Sequence, residues 1–177
     1  GSEMCIRDRS GADINLFEAW KYTAGDNRVV VAVIDGGIRT DHIDLADNMW
    51  VNEAERDGEA GVDDDGNGYV DDIHGYNFYH DKGEISPDTH GTHVAGTIAA
   101  VNNNDYCVSG IAGGTGKGDG VKIMSCQIFY GDRGTYSHNV ARAIRYAADN
   151  GAVIANNSWG YPAGDMISDS MFKKYDK

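Results

Sequence analysis

Apolar residues fall in short runs separated by long polar stretches, and the runs alternate between two periods. Residues 29–34, Val-Val-Val-Ala-Val-Ile, are continuously apolar and mostly β-branched, as expected of a strand buried on both faces of a parallel sheet. Residues 121–129 predict a second such strand and 152–156 a third. Between them the period lengthens. Residues 90–101 predict a helix whose small residues Gly91, Ala95, Gly96, Ala99 and Ala100 permit close backbone approach. Residues 137–150 predict another, with Val140, Ile144, Ala147 and Ala148 on one face and Gly151 just past its C-terminus. The helical spacing of Ile14, Leu16, Phe17, Ala19 and Trp20 predicts a short lead-in helix over 14–22, and a last helix is expected from Pro162 onward. Residues 36–89, rich in Asp, Gly and Asn, read as functional loops carried on a scaffold.

Strands alternating with helices give an α/β fold with a parallel sheet. The sequence stops inside its last expected element, so a partial domain over residues 11–177 is expected. Such a piece would leave an unpaired strand edge and uncovered apolar surface, and poor solubility is expected of it. The stretch Ser2-Glu3-Met4-Cys5-Ile6-Arg7-Asp8-Arg9 resembles translated sequencing-adapter sequence, so residues 1–10 are set apart from the fold.

Composition narrows the chemistry. With 28 acidic against 15 basic residues the net charge is −13, which argues against nucleic acid as a partner, because phosphate binding needs clustered Lys and Arg. Acid clusters such as Asp63-Asp64-Asp65 point toward bound cations, whereas scattered acids are a solvated surface. Three cysteines make no disulfide framework, and Cys107 and Cys126 are compatible with either free thiols or a pair. No apolar run approaches the roughly 18 residues of a membrane span.

Two residues carry candidate catalysis. Asp35 ends the first strand and is followed by Gly36-Gly37, which lets the chain turn sharply. Reactive groups gather at the carboxyl ends of strands in open α/β sheets. An aspartate there can accept the Nδ1–H of a histidine and stabilise an imidazolium; taken alone, before Gly-Gly, a turn-capping role is the stronger reading. His90 opens the small-residue helix, with Gly91 leaving space beside it. His90 and His93 are spaced i,i+3 without the Glu of H-E-x-x-H, so a zincin reading fails.

The acidic run Asp63-Asp64-Asp65-Gly66-Asn67-Gly68-Tyr69 fits the first half of a D-x-D-x-N-G calcium loop. Asp63, Asp65 and Asn67 would supply side-chain oxygens and Tyr69 its carbonyl. His74 stands at the twelfth position instead of Glu, so a later carboxylate must come from Asp71 or Asp72, with Asp72 favoured.

Val33-Ile34-Asp35-Gly36-Gly37-Ile38 and His90-Gly91-Thr92-His93-Val94-Ala95-Gly96 together resemble the aspartate and histidine motifs of the subtilisin-like serine proteases, the subtilase family. The resemblance implies a parallel-sheet subtilisin-like α/β fold, with Asp35 as orienting acid, His90 as general base and His93 structural. Gly36 departs from the usual Ser or Thr, which implies a small change of geometry beside Asp35. Ala155-Asn156-Asn157-Ser158-Trp159-Gly160 resembles the segment lining one side of the substrate cleft, so Asn157, Ser158, Trp159 and Gly160 are candidate substrate-binding residues. Gly134, in the segment 131–135, resembles the opposite rim. Ser158 lies outside any Gly-Thr-Ser setting and is not assigned catalysis. By resemblance alone, Asp44, the carbonyl of Val101 and Asn103 would form a second Ca²⁺ site, although the loop 102–109 is one residue longer than in the simplest relatives.

The leading expectation is therefore an N-terminal portion of a Ca²⁺-stabilised serine endopeptidase acting on extended protein or peptide substrates. Family habit places it outside the cell or in its envelope. The chain has no Gly-Thr-Ser motif and no oxyanion-hole asparagine, so it is expected to be inactive by itself. Two alternatives stand beside this reading: a calcium-dependent peptide-binding pseudoprotease without the nucleophile, and a metal-dependent hydrolase using the histidines and acids.

Overall fold

A computed structural model describes residues 14–160. Both the helix expected from Pro162 and the segment 1–10 lie outside them. The chain builds four parallel strands, β1 (Val30–Asp35), β2 (Gly75–Asn77), β3 (Lys122–Gln127) and β4 (Ile154–Asn156), ordered β2-β3-β1-β4. The helices are α1 (Leu16–Ala19), α2 (Glu53–Asp57), α3 (Thr89–Ala99) and α4 (Ser137–Asp149), with one 3-10 turn at Ala46–Asn48.

The central pair β1–β3 runs in register from Val30 beside Lys122 to Asp35 beside Gln127. Its unbroken apolar sequence is explained by the two cores it separates. On one face Val31, Val33 and Ile123 pack with Ile38, Leu45, Met49 and the α3 residues Ala95 and Ala99. On the other, Ala32, Ile34, Met124 and Cys126 pack with Tyr76, Phe78 and the α4 residues Ala143, Tyr146 and Ala147. Residues of period two thus point to alternate helical layers, and no polar face is left.

Four expectations change. The lead-in helix shortens to Leu16–Ala19, because only Leu16 is buried while Ile14 and Phe17 face solvent. The loop stretch 36–89 contains a strand, β2, whose Gly75-Tyr76-Asn77 is too short to show a period. It joins the sheet because Gly75 lies against β3, where a Cβ would come within 2.0 Å of the Ser125 carbonyl oxygen. The buried side of α4 is Asn139, Ala143, Tyr146 and Ala147, whereas Ile144 and Ala148 are exposed. Tyr146 decides this rotation, since its ring enters an aromatic cluster with Tyr69, Tyr76 and Phe78. Finally, Gly96 faces open space, so only Gly91 of the helical glycines in α3 serves close packing.

The strand edge at β4 carries exposed Val153 and Ile154. Gly151 follows α4 with φ 87°, the left-handed conformation that closes a helix C-terminus. No helix of the described residues is long and apolar enough to cross a membrane.

Candidate active site

Asp35 is the last residue of β1, so its carboxylate emerges at the carboxyl end of the sheet with its backbone still in the ladder. It is buried, and its Oδ1 accepts both the Gly36 N–H at 2.7 Å and His90 Nδ1–H at 2.8 Å. A carboxylate only accepts, which fixes the Nδ1–H tautomer of a neutral His90 and leaves Nε2 as the ring nitrogen able to accept a proton. The imidazole side chain is 59% exposed and the Asp35 side chain 4%, so a buried carboxylate backs a solvent-reachable imidazole. The hydrogen bond to Asp35, then the charge of Asp35, raises the His90 pKa above its ordinary value; a smaller contribution comes from the charge of Asp88.

The segment before α3 was silent in the sequence, yet it builds this geometry. Asp88 caps α3: its side chain accepts the backbone N–H of His90 at 2.8 Å and of Gly91 at 3.2 Å. Asp88 in turn donates its own N–H to the Gly37 carbonyl at 3.3 Å. Gly37 has φ 103° and would bring a Cβ within 2.3 Å of the Ser86 carbonyl oxygen, so only glycine fits. A Cβ on Gly91 would lie 2.4 Å from the Gly37 carbonyl oxygen. The Asp35 turn and the mouth of α3 therefore interlock through Gly37 and Gly91. His93 is exposed on α3, so it makes no contribution to the core.

The proposed cleft residues lie beyond β3 and β4. Trp159 is half-buried: its indole N–H donates to the Ile34 carbonyl at 2.8 Å and its ring meets Phe129 edge-on at 5.7 Å. This pins the segment 156–160 beside the strand that carries Asp35. Asn157, Ser158 and Gly160 are exposed, with Ser158 Oγ accepting from Asn156 Nδ2 at 3.0 Å. Gly134 is exposed on the loop between β3 and α4.

In the acidic loop, Asp65 and Asp72 are brought together with Glu55, a residue of α2 that sequence spacing did not single out. One oxygen of each lies within 4.8 Å of the others, and Glu55 and Asp72 are buried. Among the described residues no Lys or Arg pairs with these three. Instead the amides of Asn52 and Asn67 each donate to both Asp65 and Asp72. Asp63 is turned to the backbone, accepting the N–H of Asn67 at 3.0 Å and of Gly68 at 2.8 Å, and Asn67 Oδ1 accepts the Tyr69 N–H. Burial raises the Asp72 pKa, opposed by hydrogen bonds from Tyr146, Asn67 and Asn52.

Around Asp44 the structure brings in Asn104 rather than the expected Asn103, and Val101 takes part through its N–H. Asp44 is buried and accepts from Asn104 Nδ2 at 2.7 Å and the Val108 N–H at 3.1 Å, while Val101 donates its N–H to the Asp44 carbonyl. Asn103 is exposed, has φ 59°, and donates to the Thr115 carbonyl. The next asparagine along this loop, Asn104, is thus the one that meets Asp44.

Residues 26–176 match the model of the subtilase family (Peptidase S8). The chain is 35% identical over 155 residues to Subtilisin-like protease 1 of Plasmodium vivax, which covers 85% of this chain and 24% of the relative. It is 34% identical over 151 residues to the halolysin-like extracellular serine protease Nep of Natrialba magadii, covering 83% of this chain and 23% of that one. Among solved structures it resembles fervidolysin of Fervidobacterium pennivorans, described as a keratinolytic enzyme related to subtilisin, with TM-score 0.54 and 28% identity over 86% of this chain and 20% of that chain. The maturation protease PagA shares the fold at TM-score 0.56 and 24% identity, over 91% of this chain and 45% of that one. The chain spans about a quarter of the length of these curated relatives.

Proposed function

The chain belongs to the subtilase family of serine peptidases, and we propose that it forms part of the catalytic domain of an endopeptidase that cleaves extended protein or peptide substrates. The observation that carries this reading is the 2.8 Å contact between buried Asp35 and exposed His90 at the carboxyl end of the sheet. In the reaction, His90 Nε2 takes the proton of a serine hydroxyl as it attacks the peptide carbonyl, then returns it to the leaving amine. Asp35 holds the ring and stabilises the imidazolium.

No Gly-Thr-Ser setting occurs among these 177 residues, so this reading requires a serine and an oxyanion donor supplied from outside them. By this mechanism the 177 residues alone would not hydrolyse peptides: an oxyanion donor alone is worth about 2.7–4 kcal/mol, and without the nucleophile there is no covalent route. Substrate lies as an added strand between the rim around Gly134 and the segment Asn157, Ser158, Trp159 and Gly160.

Ca²⁺ braces the scaffold. Three carboxylates with two of them buried need a positive partner, and an all-oxygen set suits a hard cation. Glu55, Asp65 and Asp72 would hold it, with Asp63, Asn67 and Tyr69 shaping the loop. Asp44, with the Val101 carbonyl and either Asn103 or its neighbour Asn104, would hold a second. When bound, the ion neutralises these acids and stiffens the loops. Likeness to a halolysin-like extracellular protease supports an extracellular location.

The test is labelling of the full-length gene product by a fluorophosphonate probe. Labelling that His90→Ala abolishes is expected. An unlabelled product with intact peptide binding would replace this reading by a pseudoprotease.

A further inference from the structure

We infer that Asp88 is a positioning residue for His90, and that Gly36 lacks a side chain in order to make room for it. The inference rests on the reading of His90 as general base. Gly36 is buried and its φ lies outside the left-handed region, so its backbone would accept any residue. Space is the constraint. A Cβ there would fall 2.8 Å from both Cγ and Oδ1 of Asp88 and 3.0 Å from its Cβ. That same Oδ1 receives the N–H groups of His90 and Gly91. A side chain at position 36 would thus push away the carboxylate that sets the first turn of α3, and with it the imidazole. The residue after the orienting acid and the residue two before the base are complementary in size, although 52 positions apart.

Charge adds a second link. One oxygen of Asp88, one of Asp35 and one ring nitrogen of His90 lie within 4.8 Å of one another. Asp35 from β1 and Asp88 from the cap of α3 are the titratable groups, among the described residues, that act on His90. Asp35 Oδ1 takes Nδ1–H directly, and Asp88 favours the imidazolium through space, so both its hydrogen bonds and its charge bear on the base.

The test compares kcat/KM against pH in the full-length protease carrying these residues. Asp88→Ala is expected to lower the plateau about tenfold, as the cap is lost and the ring moves. Asp88→Asn keeps an acceptor and is expected to lose less than about threefold. Its acidic limb moves to lower pH, because a charge that favoured the imidazolium is gone. Gly36→Ser is expected to resemble Asp88→Ala, and the double variant to be no worse than either single one. Losses that multiply in the double variant, or an unmoved acidic limb in Asp88→Asn, overturn the inference. NMR titration of the His90 ring in the same proteins separates this from the protease reading. A protein without peptidase activity whose His90 titration falls in Asp88→Asn sinks that reading and upholds this one. A titration that stays put sinks this one.

Discussion

Tyr146 on α4 donates its hydroxyl to Asp72 Oδ2 in the acidic loop at 2.5 Å, and both residues are buried. Burial, reinforced by the Asp72 charge, pushes the phenol well above its ordinary range, so it remains a donor at any physiological pH. The helix that covers one face of the sheet is thereby bonded to the loop that gathers the carboxylates. Tyr146→Phe keeps the ring in its aromatic cluster but strips one donor from a buried carboxylate. A loss of about 1–3 kcal/mol of unfolding free energy is expected. Urea denaturation measures it, and an unshifted midpoint would contradict the coupling.

Calcium should act on the same loop. Millimolar Ca²⁺ is expected to slow proteolytic cleavage within residues 63–72 and to raise the melting temperature, with chelator reversing both. Asp72→Asn should abolish the response. Identical digestion patterns with Ca²⁺ and with chelator would refute the cation reading.

His90 gives a pH dependence whose sign follows from its raised pKa. Its contribution to stability is fully present below the unfolded value of about 6.5, where the imidazolium pairs with Asp35, and is lost as pH rises through the higher folded value. Asp35→Asn removes the largest cause of the shift. The His90 titration followed by NMR should then move to lower pH, and an unchanged titration would show that Asp35 does not hold the ring.

The glycines of α3 should separate cleanly. Gly91→Ala drives a methyl toward the Gly37 carbonyl oxygen, 2.4 Å away, and is expected to cost about 1–3 kcal/mol. Gly96→Ala meets nothing within 4 Å and should stabilise by roughly 0.5–1 kcal/mol, the usual gain of alanine over glycine inside a helix. Equal effects in thermal melts would mean that α3 does not pack on the Asp35 turn as described.

Much of the scaffold is legible from local pattern. The apolar runs at 29–34 and 121–129 became β1 and β3, because a strand covered on both sides has no polar phase. The spacing at 137–150 became α4, and Ala147 and half-buried Val140 of the expected face meet the core, but Tyr146 replaces Ile144 there, since aliphatic periodicity gives no weight to a tyrosine whose hydroxyl finds a buried acid. β2 left no trace, because three residues show no period.

By itself the sequence determined the α/β alternation, the strand-end position of Asp35, the helix-mouth position of His90 and an acidic loop of calcium-like spacing. These depend on local periodicity and on short motifs. Only the tertiary structure decided which distant groups meet: Asp35 with His90 at 2.8 Å, Glu55 with Asp65 and Asp72, Asn104 with Asp44, and Asp88 against the bare face of Gly36. The reason is physical. Such contacts arise where helices and loops settle on a sheet, and their distances follow from packing volumes and backbone approach that a linear pattern does not encode.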